Sequence, residues 1–143
     1  ERGSASVTRL TRAAAPVGTA TIAYAEMYSG LTRRHRDGAL SAIDYAHACD
    51  QFERDWTGYL RIRLDEDVLG AARRVIQRNG LRGFDGIHLA SALTLQNQWD
   101  ETVVVVAADQ RLLRAAAAEG LATLDVETGA ATRRGRRQGL LES

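Results

Sequence analysis

Apolar positions along this chain follow two rhythms, and the alternation between them predicts the elements. From Ser4 to Ala15, Val7, Leu10 and Ala14 recur at helical spacing until Pro16 closes the segment. Val17–Ala20 is short and apolar enough for a buried strand, after which Thr21 is expected to cap a helix to about Arg34. Ile22, Ala25, Tyr28 and Leu31 would form its inner stripe. The Asp37-Gly38 turn leads into a long amphipathic helix, Ala39–Trp56, with Ile43, Ala46, Phe52 and Trp56 inward and Gly58 breaking it. Tyr59–Leu64 alternates with period two and predicts a strand. Asp65-Glu66-Asp67 then opens a helix through Val68, Ala72, Val75 and Ile76 to Asn79-Gly80, and capping explains that acidic triplet better than a metal role does. A further helix runs from Asp85 to about Gln98. Val103–Ala107 predicts a fully buried central strand, Asp109–Glu119 a helix ended by Gly120, and Leu121–Val126 a last strand. Strands alternating with helices argue for an α/β fold, a three-layer α/β/α sandwich around a mostly parallel sheet.

The pattern places one domain at residues 1–128, without repeats, and an Arg-rich tail at 129–143 that has no apolar periodicity. A chain of 143 residues, 45% apolar and 26% charged, suits one ordinary globular core. All 19 basic residues are Arg, set against 18 acids, so bulk charge gives no argument for nucleic-acid binding. Arg does offer the planar, bidentate phosphate contacts that Lys lacks. A lone Cys49, with small neighbours, reads as a packed thiol and agrees with a reducing cytoplasm. No apolar run is long enough to span a membrane, and no signal peptide is recognised.

Chemistry concentrates at the handovers between elements. Asp85 follows the glycine-flanked turn Gly80-Leu81-Arg82-Gly83 and opens an apolar helix; Asp109 follows four valines and opens another. Strand carboxyl ends are where α/β sheets bind ligands. Taken singly, each Asp sits where a helix cap belongs. Taken together, two acids at one sheet edge repel unless a cation lies between them, and oxygen ligands suit Mg²⁺ or Mn²⁺. Glu26, among small and apolar residues, is the third candidate; its alternative is a partner such as Arg33 or Arg34. Such a metal site activates water and stabilises a departing oxygen, which is the chemistry of phosphodiester hydrolysis. His88 shares a helical face with Asp85 and reads first as a packing residue bonded to backbone, while His35, His47 and Ser91 read as surface or packing positions. Arg82 and Arg111, beside the two Asp residues, divide between phosphate contact and simple ion pairing.

The stretch Thr19–Glu26, the run Gly83-Phe84-Asp85-Gly86-Ile87-His88-Leu89-Ala90, the segment Val103–Leu112 and the ending Ala118–Leu121 together resemble the PIN domain, in particular the VapC-type toxins of type II toxin–antitoxin pairs. The resemblance runs to about Val126. It implies a metal-dependent endoribonuclease in which Glu26, Asp85 and Asp109 hold one or two Mg²⁺ or Mn²⁺ ions. It also implies a homodimer, a VapB-like antitoxin lying across the active-site groove, and a structured RNA substrate of the tRNA or ribosomal RNA class. Two departures accompany it. Glu1-Arg2-Gly3-Ser4 resembles the segment just after the family's first strand, which carries its first catalytic Asp, so either the sequence lacks its natural beginning or the protein lacks that acid. Ala107 stands where the family often has Ser or Thr.

A degenerate, non-catalytic PIN-like protein that binds an antitoxin or RNA is the competing expectation, supported by the missing Asp. A phosphate-accepting receiver domain would need a Lys late in the sheet, and the chain has none.

Overall fold

The computed structural model describes residues 16–133. The helix expected over Ser4–Ala15 and the arginines at 134, 136 and 137 lie outside the described residues. Along the chain run β1 (Gly18–Ala20), α1 (Ala23–Arg36), α2 (Ala42–Gly58), β2 (Leu60–Ile62), α3 (Glu66–Asn79), α4 (Gly83–Gln98), β3 (Val104–Ala107), α5 (Gln110–Ala118), β4 (Ala122–Asp125) and β5 (Ala131–Thr132). The α/β alternation is present. The single mostly parallel sheet is not: the described strands form two sheets, β1-β2 and β3-β4-β5. β1 pairs with β2 and β3 with β4 in parallel, whereas β5 runs antiparallel to β4. The segment from Gly129 therefore begins with a short strand rather than without structure.

Local signals set most helix ends. The Asp65 carboxylate accepts from Val68 N–H at 2.9 Å and starts α3, and Gly80 ends it at φ +63°, a left-handed value that glycine adopts without a Cβ penalty. Ser41 rather than Ala39 starts α2, its hydroxyl accepting from Asp44 N–H at 3.0 Å. Thr21 does not cap α1. Its N–H is spent on Ile62 O at 3.0 Å, extending the β1-β2 ladder, and the cap position falls to Ile22 with no side-chain bond.

The core forms around α4. Leu89 packs with Val75, Leu81, Ala115, Ala116 and Leu121, while Ala90 packs with Val68 and Ala72 on the α3 side. A Cβ at Gly86 would overlap the Ile76 side chain, so α3 and α4 approach at the distance that only glycine allows. Both sheets begin at the carboxyl end of α4: Leu95 lies against Gly18, and the Gln96 side chain accepts from Val103 N–H at 2.8 Å. The two strands thus run back along the helix towards its amino end without a ladder joining them among the described residues. β3 is consequently an edge strand, not the buried centre expected of four valines. Val105 packs on the core, but Val104 and Val106 are 48% and 43% exposed. The stripe expected on α1 is also thinner than its spacing suggests, with Ala25 exposed and Ile22, Tyr28 and Leu31 only half-buried. On α2, Phe52 is buried and Trp56 half-buried, whereas Ala46 is exposed and Ile43 is 69% exposed. Cys49 is half-buried. No helix among the described residues is long and apolar enough to cross a membrane.

Candidate functional site

The amino ends of α4 and α5 meet at one edge of the molecule. Asp109 follows β3 as the cap of α5: its Oδ1 accepts from Arg111 N–H at 2.7 Å and Leu112 N–H at 3.1 Å. Those two N–H groups, Leu112 first, hold its carboxyl below the usual carboxylate value, and the Arg111 and Arg82 guanidiniums add to the effect. Asp85 does not cap α4. The cap position is Arg82, and Asp85 lies in the first turn, where the helix dipole favours a negative charge. Arg82, Asp85, Asp109, Gln110 and Arg111 together line an open cleft of ≈ 270 Å³. Both aspartates and both arginines singled out in the sequence therefore share one cavity.

Glu26 reaches the same helix from α1, but by another route. Its Oε2 lies 2.6 Å from Nε2 of His88, with the two side chains 38% and 29% exposed. His88 is thus tied to a carboxylate instead of backbone, and Glu26 is paired with His88 rather than with Arg33 or Arg34. With the Glu26 carboxylate as acceptor, Nε2 is the ring nitrogen that donates. His88 stands one helical turn beyond Asp85 on a common face. Among the described residues, no three His, Cys, Asp or Glu side chains converge on a point that could hold a metal ion. The expected convergence of Glu26, Asp85 and Asp109 is therefore not seen: the two aspartates share the cleft, while His88 engages Glu26.

No protein-family model matches the chain. Two curated relatives do: Ribonuclease VapC45 of Mycobacterium tuberculosis (strain CDC 1551 / Oshkosh) and Ribonuclease VapC49 of Mycobacterium tuberculosis (strain ATCC 25618 / H37Rv). Each is 32% identical over 99 residues, covering 69% of this chain and 67% of the relative. The chain belongs to the VapC ribonuclease family.

In this VapC-family chain the cleft donors are oxygens, with neither Cys nor His among the lining residues. Such a set fits a hard divalent cation better than a soft one. Ser91, buried, donates to Ile87 O at 2.8 Å and belongs to helix packing. His35 stacks on Tyr45 with ring centroids 4.9 Å apart, and its Nδ1 lies 3.0 Å from Leu40 O, which is a packing role.

Sequence reasoning missed two residues at this edge. Asp125 ends β4 directly beside Ala107 of β3 and is 5% exposed. It accepts from the N–H groups of Glu127 and Thr128, from the Thr128 hydroxyl and, at 2.6 Å, from the Gln110 amide. Gln110 in turn lines the cleft. The signal was present, because the rule that directs attention to Asp109, an acid just past a parallel strand, applies equally to Asp125.

Proposed function

We propose that this protein is the toxin of a toxin–antitoxin pair and acts as a Mg²⁺- or Mn²⁺-dependent endoribonuclease. The observation that carries the reading is the cleft that Asp85 and Asp109 line together with Arg82 and Arg111 in a VapC-family chain. Asp85 and Asp109 hold the cation, and Glu26 is tied to α4 through His88. When bound, the cation supplies Lewis-acid activation of a backbone phosphate and of the water that attacks it. Asp109 stays ionised because the start of α5 donates two N–H groups to it, so it is available as a ligand across the physiological range. Arg82 and Arg111 clamp the phosphates flanking the scissile bond, offering donors in the planar geometry that phosphate oxygens accept. A structured RNA of the tRNA or ribosomal RNA class is the substrate, a VapB-type antitoxin the silencing partner, a homodimer the working form and the cytoplasm its compartment.

The test is cleavage of a structured RNA by the full chain with Mg²⁺ or Mn²⁺, repeated with EDTA and with Asp85→Asn. Cutting is expected with either metal, and its loss in both controls. Cutting that survives Asp85→Asn sinks the assignment. One observation favours a second reading, that of a non-catalytic member which binds RNA or antitoxin: no three acidic or imidazole groups converge among the described residues. RNA retention without any cutting would select it.

A further inference from the structure

We propose that Gln110 contributes an uncharged oxygen to cation binding beside Asp85 and Asp109, and that Asp125 is the positioning residue that aims it. The inference rests on the metal-dependent reading above. Its starting point is the hydrogen-bond inventory of Asp125. Oδ1 accepts from Glu127 N–H at 2.8 Å and Thr128 N–H at 3.3 Å, while Oδ2 accepts from the Thr128 hydroxyl at 2.8 Å and Gln110 Nε2 at 2.6 Å. Four donors converge on one carboxylate, so it carries no proton of its own to give. The Gln110 atom facing it must then be the amide nitrogen, and the carbonyl oxygen lies on the opposite side of the amide group. Among the described residues that oxygen has no hydrogen-bond partner, yet Gln110 is one of the five residues lining the cleft. Gln110 lines the same cleft as Asp85 and Asp109, and with its nitrogen committed to Asp125 its oxygen is the polar atom left to serve that space.

The chemistry suits the place. Hard cations accept amide carbonyls as ligands, directly or through an ordered water. A third carboxylate here would add to the repulsion between Asp85 and Asp109, whereas a neutral oxygen adds a ligand without adding charge. Asp125 is buried and its loop closes on itself, with Gly129 N–H donating to Asp125 O at 2.8 Å. The support is therefore rigid where the side chain it holds is exposed.

The experiment measures Mn²⁺ binding alone, by calorimetry and by electron paramagnetic resonance, without RNA. The full chain is compared with Asp85→Asn, Gln110→Leu, Asp125→Asn and the Gln110→Leu/Asp125→Asn double variant. Gln110→Leu is expected to weaken Mn²⁺ roughly tenfold, the lower end of what outer ligand-supporting groups contribute. It also removes the Gln110 donor from the Asp125 carboxylate, so a modestly lower metal-free melting temperature is expected, and binding is measured well below it. In Asp125→Asn the new amide donates to Gln110, which turns over and presents N–H to the cleft; a similar loss is expected. The double variant should lose no more than either single one. A parent that binds no Mn²⁺ overturns the metal-dependent reading and this inference with it. A parent that binds, Asp85→Asn that does not, and Gln110→Leu that binds like the parent overturn the inference alone. Additive losses in the double variant overturn the positioning role of Asp125, and if Asp125→Asn does not fold, Gln110→Leu still decides the ligand role.

Discussion

At the scale of single residues, the two halves of Asp109's work are separable. Its carboxylate caps α5 and also faces the cleft. Asn keeps an oxygen for the cap and removes the charge, whereas Ala removes both. Asp109→Ala is expected to cost about 1 kcal/mol in urea denaturation and Asp109→Asn only a few tenths, the usual scale of cap substitutions. Both should abolish RNA cleavage. A stable, active Asp109→Asn protein would mean that the charge has no part in the chemistry. Asp125 gives a prediction in pH. The Glu127 N–H and Thr128 hydroxyl, helped by the Gln110 amide, hold its carboxyl below the usual value in the folded protein. Its contribution is therefore complete above the unfolded carboxylate value, about 4, and fades as pH falls through the lower folded value. The parent should exceed Asp125→Asn in urea midpoint at pH 7, and the difference should close as pH drops below about 4. A difference that stays constant between pH 7 and pH 3 contradicts the ionised, hydrogen-bonded carboxylate.

At the scale of elements, the packing of α4 on α3 governs where Asp85 stands. Gly86 follows Asp85, and any β-carbon there runs into Ile76 on α3. Gly86→Ala gains helix propensity but must push the helices apart, and overpacking of this kind costs about 1–3 kcal/mol. A lowered thermal midpoint together with weakened Mn²⁺ binding is expected, because moving α4 moves Asp85; a Gly86→Ala chain as stable as the parent rules out the close approach. That approach was not legible in the sequence, where Gly86 reads only as one small residue among several. What was legible is what short-range chemistry decides: the Asp65 cap, the Gly80 stop and the Asp37-Gly38 turn each depend on neighbours a few residues away. Thr21 is not the cap because the strand ladder runs on through it, its N–H bonding Ile62 O, and the helix starts one residue later at Ile22; sequence spacing does not reveal that extension. The four valines of β3 satisfy the pattern of a strand buried on both faces, but burial depends on what lies alongside, and among the described residues β3 pairs on one side only, with β4.

At the scale of the whole molecule, α4 is the member on which both sheets, α3 and α5 pack, and the α1-α2 hairpin is the part least anchored to it. α1 has no fully buried residue, and α2 has one, Phe52. The hairpin is held by its own aromatic cluster, in which Tyr24 lies 5.6 Å and Tyr28 5.8 Å from the Phe52 ring. Both tyrosine hydroxyls also donate to Glu53 Oε1, at 2.6 and 2.5 Å. The candidate site straddles this division. Asp85 and Asp109 sit on the α4-α5 body, whose handovers the sequence marks plainly. Glu26 sits on the hairpin, and its partner His88 is distant in sequence, so sequence spacing does not reveal that His88 engages it. Regions with few buried contacts open locally at lower free energy than the core. Amides of α1 and α2 should therefore exchange with deuterium well before those of α4 around Leu89, which is fully buried. Phe52→Ala should speed exchange across the hairpin and disrupt the Glu26–His88 pair while leaving α4 protection and Mn²⁺ binding at the Asp85–Asp109 cleft nearly unchanged. Leu89→Ala should instead lower protection everywhere, with a cost of about 2–5 kcal/mol. If Phe52→Ala removes protection from α4 to the same degree as from α1, hairpin and body unfold as one cooperative unit, and Glu26 is held in place by the core itself.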